Sequence, residues 1–296
     1  MFGIKLLNRR GASAQYKRFT RSKAGNFFFF TFILAAGLFS IIPLVYSVVT
    51  SLKPLDELMI FPPTFFVRRP TFENFAVLPS LLSKLKVPFS RFIFNSFFVS
   101  ITATLLHVFA ASMAAFVLAK TDMKGRKALF WMVQFALLYN AYTLGVPQYL
   151  IFSKMNLINT YLVYILPTIP SAIGLFLMKQ YMDGGIPDAL MEASKIDGAG
   201  YFRVFFSIIM PVVKPAWLTL TLFAFREIWS MQPQGTIFSE NLKTLPYLMS
   251  QITAGGIARA GSAMATTVIL MVPPILVYLI SQSSVVETMS SAGIKD

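Results

Sequence analysis

The sequence predicts an all-α integral membrane protein with six transmembrane helices. Three observations point there. Hydrophobic residues make up 56% of the 296 and charged residues only 13%, against about 25% charged in an ordinary soluble domain. Mean hydropathy is +0.65. Several uninterrupted apolar runs approach the roughly 20 residues that cross a bilayer as a helix. Backbone N–H and C=O groups cannot stay unpaired in lipid, so such runs should be helical. They are continuous rather than alternating, which argues against a membrane β-barrel.

Residues 1–26 carry Lys5, Arg9, Arg10, Lys17, Arg18, Arg21 and Lys23 and no acid. The apolar run at 27–49 is longer than a signal-peptide core and lacks a small-residue cleavage site after it, so it reads as a retained first span. Residues 50–92 form a long, proline-rich extracytoplasmic loop. A core at 93–283 supplies five more spans, near 93–119, 128–151, 161–179, 213–231 and 264–282. Residues 284–296 are the tail. Basic residues favour the cytoplasmic side. The basic first segment therefore places both termini inside, together with the link that holds Lys120, Lys124, Arg126 and Lys127. Lys53, Arg68, Arg69, Lys84, Lys86 and Arg91 of the outer loop run against this rule, but the segment beside the first span should dominate. The net charge of +14 fits topology and anionic headgroups better than nucleic acid.

Between the fourth and fifth spans, residues 183–215 read as an amphipathic elbow. Gly184 and Gly185 end the fourth helix. Pro187 suits the first turn of a new helix, where its missing N–H leaves nothing unpaired. Asp188 and Glu192 put negative charge toward that helix's positive end. Ala189, Leu190, Ala193 and Ile196 form one apolar stripe. Gly198 and Gly200 suit a C-cap and tight turn. A second short helix runs from Tyr201 to Ile209 and on to Pro211, and Lys214-Pro215 opens the fifth span. An ordinary interfacial helix is the commoner use of such a segment.

The spacing Glu192-Ala193-Ser194, Gly198, Ile208, Met210, Pro211 resembles the EAA motif of ABC importer permeases, with Ser194 and Met210 as departures. Asn95-Ser96, Ala114-Ala115-Phe116, Leu157–Tyr161, Ile186-Pro187, Ile196–Ala199 and Thr244-Leu245-Pro246 are similar to pieces of the MalG-type carbohydrate permeases, and the likeness covers most of 70–296. The resemblance implies a type I ABC importer fold in a bacterial inner membrane. It implies that the elbow is a cytoplasmic coupling helix, with Glu192, Ala193, Ser194, Asp197, Gly198, Ile208 and Pro211 meeting a cytoplasmic ATPase dimer. It further implies a second, MalF-like permease, an extracytoplasmic solute-binding protein and an oligosaccharide substrate.

The chain carries no G-x-x-x-x-G-K-[ST] phosphate loop, no cysteine and one histidine. No enzyme activity and no bound cofactor or metal is expected of it; ATP and Mg belong to the partner ATPase. The candidates for the pathway are Asn140, Tyr142, Arg226, Glu227 and Trp229, because polar groups in spans tend to face cavities. Arg226 would lie roughly 21 Å into the fifth span at 1.5 Å per residue. It either greets an acidic oligosaccharide, such as a uronate, or pairs with the sister permease or snorkels. Gln134 and His107 read as helix-packing residues, and Pro273-Pro274 as an interruption of the sixth span. Two other classes would leave different marks. An ion-coupled secondary transporter should show paired halves or intramembrane acids, and a membrane enzyme should show clustered catalytic groups. Neither pattern is visible.

Overall fold

The computed structural model describes residues 23–81, 87–138, 141–232, 235–256 and 259–293. Two units separate between Tyr46 and Ser47. The first is helix α1 (Lys23–Ser51) as far as Tyr46. Its phenylalanines and leucines, among them Phe28, Phe32, Leu34 and Phe39, are exposed, as suits a helix whose solvent is lipid.

The second unit starts at Ser47. Three short helices, α2 (Leu55–Leu58), α3 (Glu73–Ala76) and α4 (Leu78–Leu81), build the loop after α1. Then come α5 (Phe89–Lys120), α6 (Arg126–Ala136), α7 (Gly145–Lys154), α8 (Leu162–Ile165) and α9 (Ala172–Gly185). The elbow contributes α10 (Asp188–Ile196), α11 (Tyr201–Val204) and α12 (Met210–Val212). The chain ends with α13 (Lys214–Trp229), α14 (Leu245–Thr253) and α15 (Ala260–Gly293). Helix α5 packs on α9 and α13, and α13 packs on α15. Small residues make the close approach along α5 feasible: Ser96, Ser100, Ala103, Ala111 and Ala115 recur at helical spacing and are all buried.

Among the described residues, three helices are long and apolar enough to cross a membrane, or up to five if each of two bent pairs is one span. The expected third span at 128–151 is not one helix. It is α6 and α7, with a 3₁₀ turn at Ala141–Leu144 between them. Pro147 sits in the first turn of α7. It has no N–H to return to the carbonyl four residues back, which suits the start of a helix better than its middle. The region of the expected fourth span is bent by 40° between Leu162–Thr168 and Ala172–Gly185, and the expected fifth span, Lys214–Trp229, leaves the elbow's Tyr201–Val212 at a bend of 82°. The sixth corrects the sequence reading: α15 runs through both Pro273 and Pro274 without interruption.

At three of these irregularities, the two bends and the prolines of α15, a ring N–H reaches a backbone carbonyl. His107 Nδ1 lies 2.6 Å from the Thr168 carbonyl at the bend of the fourth span. A carbonyl only accepts, so Nδ1 carries the proton. Trp217 Nε1 donates to the Met210 carbonyl at 3.1 Å, beside the bend of the fifth. Trp229 Nε1 donates to the Leu270 carbonyl at 3.0 Å, the acceptor that Pro274 leaves without its usual N–H. Backbone groups freed in a membrane helix must find such partners.

The outer loop is folded rather than slack. Buried Glu57 accepts the backbone N–H groups of Arg68 at 3.0 Å and Arg69 at 2.8 Å. Asn74 donates to the carbonyls of Ser51 and Lys53.

Candidate functional site

The structure gathers the distinctive sequence pieces at two places on α5. Twenty-five residues separate Asn95 from Lys120, roughly 38 Å at 1.5 Å per residue, more than the hydrocarbon thickness of about 30 Å. The two places therefore belong to opposite faces of the bilayer.

Around Asn95 the stretches 95–96, 157–161 and 244–246 converge. Asn95 is fully buried and donates to the carbonyls of Asn241 and Lys243, each at 2.8 Å. Tyr161 Oη donates to its Oδ1 at 2.6 Å. Ser96 Oγ accepts the Leu245 N–H at 2.8 Å, and Asn159 Oδ1 accepts the N–H groups of Phe238 and Ser239. Nearby, Lys243 bonds Glu240 and, at 2.7 Å, Tyr247. Desolvation would lower the Lys243 pKa, but those two partners outweigh it and hold the ammonium above its ordinary range.

At the Lys120 end lies the elbow. Ile186 is held extended (φ −118°, ψ 109°) because the residue before a proline avoids the helical region. Pro187, rather than the glycines, therefore stops α9, which runs through Gly184 and Gly185. Helix α10 then starts with Asp188 in its first turn. Gly198 adopts φ +69°, a left-handed conformation that favours glycine, and turns the chain into α11. The sequence suggested a regular helix from Tyr201 to Ile209. Instead the turn Phe205–Ile209 is a π-helix, placed just before Pro211, whose missing N–H disturbs the ordinary ladder.

The elbow's two sides differ. Met191, Val204, Phe205 and Ile209 join Met178, Met182, Ala115 and Leu220 in one apolar cluster. That cluster fuses the elbow with α5, α9 and α13. Ser194, 4% exposed, belongs to this inner side and donates to the Met191 carbonyl at 2.8 Å. Ile208 is half-buried against the same cluster. Glu192, Ala193, Asp197, Gly198 and Pro211 face outward. The apolar stripe read from the sequence faces outward as well: Ala189 and Ala193 are exposed and Ile196 is 86% exposed. Only Leu190 turns partly in. A hollow of about 330 Å³ opens on the elbow between Met191, Ser194, Gly198, Gly200, Tyr201 and Val204.

Lys120 fastens the elbow to the end of α5. Its ammonium donates to the Ile186 carbonyl at 2.7 Å and to Asp188 at 2.8 Å. The hydrogen bond from Lys120, and then its charge, hold the Asp188 carboxyl below its usual range, with a smaller contribution from Arg126. The sequence reading gave Lys120 only as a base of the link after the second span, not as a partner of the elbow. The only available signal was a base closing a long apolar run.

Of the pathway candidates, Arg226, Glu227 and Trp229 stand near the end of α13. Arg226 and Glu227 are exposed, and neither side chain has a partner among the described residues. Arg226 stands in the last turn of α13, where a cation is favoured by the helix dipole. Trp229 is 3% exposed; it stacks on Phe225 at 5.5 Å and meets Phe97 edge-on at 5.0 Å. Its only polar atom is committed to Leu270. Asn140 and the side chain of Tyr142 lie outside the described residues. Among the described residues no three of His, Cys, Asp and Glu come together as a metal site would require.

No family model matches the chain. It is 30% identical over 267 residues to the sulfoquinovosyl glycerol transport system permease protein SmoH of Agrobacterium fabrum, covering 89% of this chain and 90% of that one. It is 27% identical over 274 residues to the arabinooligosaccharides transport system permease protein AraQ of Halalkalibacterium halodurans, covering 90% and 94%. It is also 27% identical over 271 residues to the polygalacturonan/rhamnogalacturonan transport system permease protein YtcP of Bacillus subtilis, covering 83% and 90%. A crystal structure of a bacterial ABC transporter that imports the acidic polysaccharide alginate superposes with a TM-score of 0.73 at 20% identity, over 89% of this chain and 98% of that one. An all-α membrane fold, and near-complete coverage of permeases for sugars, lead to one conclusion: the chain belongs to the family of permease subunits of ABC carbohydrate importers.

Proposed function

We propose that this permease forms half of the pathway of an ATP-driven, binding-protein-dependent oligosaccharide importer, and that its elbow is the coupling helix. One observation carries the reading. The elbow turns Glu192, Ala193, Asp197 and the bare side chain of Ile196 outward, while its other side is part of the core of α5, α9 and α13. A partner that grips the outer side moves the body, because a close-packed core transmits displacement rather than absorbing it. In this reading α6 and α7 together make the third of six spans. The termini and the 183–215 loop are cytoplasmic, and the 50–92 loop lies outside a bacterial inner membrane. A cytoplasmic ATPase dimer binds ATP and Mg and grips the elbow. A MalF-like sister completes the pathway, and an extracytoplasmic protein delivers the sugar. Reversing the charge of Glu192 (Glu192→Lys) or forcing a side chain onto the left-handed turn (Gly198→Val) in the assembled transporter should abolish ATP-driven uptake. Undiminished uptake in both would refute the coupling role.

Arg226 extends the reading to acidic oligosaccharides. Its exposed guanidinium has no partner among the described residues, and one relative is named for polygalacturonan and rhamnogalacturonan. Arg226→Ala should depress uptake of a galacturonide more than that of a neutral arabino-oligosaccharide. Equal losses would leave Arg226 a helix-end or subunit-contact residue.

A further inference from the structure

We infer that Lys120 is a positioning residue for coupling, a third tether that ties the elbow to α5 in addition to its covalent links with α9 and α13. The inference rests on the coupling reading above. The elbow's covalent connections reach only the fourth and fifth spans. The second span, α5, is the longest continuous element packed against both of them, yet no covalent link joins its inner end to the elbow directly. Lys120 supplies that connection. It is the last residue of α5, its ammonium reaches the Ile186 carbonyl at 2.7 Å and Asp188 at 2.8 Å, and its side chain is only 7% exposed.

The two bonds hold different things. The Ile186 carbonyl belongs to the extended joint between α9 and α10, the point where the elbow could flex. Asp188 belongs to the first turn of α10. One ammonium thus spans the joint and fixes the angle at which α10 leaves α9. A second pair, Lys195 with Asp122 at 3.7 Å, is exposed at both ends and so adds little. The lowered pKa of Asp188 has the matching sign. The carboxylate is charged above the ordinary range, and the pair is lost only as pH falls through the lowered value.

Without the tether the apolar cluster still holds Met191 and Phe205 against α5. The chain should therefore fold, with the joint free to yield when the ATPase closes. The second span would then be driven through the apolar cluster alone, with part of the motion taken up at Ile186.

The chain has no cysteine, so spin labels can be placed on it without background from its own residues. In the assembled transporter, labels at Arg203 on the elbow and Leu105 on α5 report whether the two move as one body. A second pair, Arg203 and the ATPase subunit, reports whether the elbow is gripped. The probe is Mg-ATP with vanadate. The parent should keep one narrow Arg203–Leu105 distance with and without nucleotide. Lys120→Met should lose it on nucleotide addition, Asp188→Asn should broaden it, and Lys120→Arg should restore it. A Lys120→Met distance as narrow and as constant as the parent's overturns the tether while leaving the coupling helix intact. Absence of any defined Arg203–ATPase distance in the parent overturns both.

Discussion

Trp229 offers the sharpest test of how this fold tolerates its prolines. The indole N–H donates to the Leu270 carbonyl at 3.0 Å, and Pro274, four residues beyond Leu270, cannot. Trp229→Phe keeps an aromatic ring against Phe97 and Phe225 and deletes the donor. A buried acceptor left unsatisfied costs about 1–3 kcal/mol. Side-chain hydrogen bonds within membrane bundles measure lower, about 0.6 kcal/mol on average and about 1.7 at most. The smaller ring adds a packing loss of its own, so the single variant does not isolate the bond. A cycle with Pro274→Ala does. Alanine returns a backbone N–H to Leu270, and the hydrogen-bond part of the Trp229→Phe cost should vanish while the packing part stays. We expect a coupling of about 1 kcal/mol by SDS titration of the micelle-embedded protein followed by circular dichroism. A cost that is the same in both backgrounds to within about 0.3–0.5 kcal/mol, the usual limit of additivity, would refute the reasoning.

Two other expectations concern packing. A Cβ built on Gly174 would lie 2.9 Å from Ser171 Oγ, 3.1 Å from His107 Nε2 and 3.1 Å from Leu220. Gly174→Val should therefore overpack the α5–α9–α13 junction and lower stability by about 1–3 kcal/mol, read as a fall in melting temperature in detergent. Glu57→Gln replaces a buried carboxylate that accepts two backbone N–H groups. One amide oxygen cannot hold both as well, so cleavage by added protease within residues 59–69 should speed up while that at other sites does not change.

The three long single helices and the two bent pairs were all legible as apolar runs, because the demand for internal hydrogen bonding in lipid leaves little choice of structure. The run at 128–151 was legible too, but not its break into two helices. Hydropathy reports the solvent of residues 128–151 but does not weigh one proline at 147 against continuity. Pro273 and Pro274 failed in the opposite direction: the sequence has no means of placing Trp229 beside Leu270, forty-one residues away. The elbow's existence followed from Pro187, Gly198 and its acids. The direction of its apolar stripe did not, since periodicity says which residues share a face and not whether that face meets the chain's own core. Met191 and Ser194 take the inside, and Ile196 is left outside. The contacts of Lys120 and Asn95 were hidden too, as both act on backbone carbonyls far along the chain.

The central claim is that an exposed face of the elbow is gripped from the cytosol, and Ile196 reports on it most directly. A single cysteine at Ile196, in a chain that has none, should react with a membrane-impermeant maleimide in inside-out vesicles and not in intact cells. Association with the ATPase subunit should protect it. Reaction from the outside of intact cells, or reactivity unchanged by the ATPase, would contradict the account.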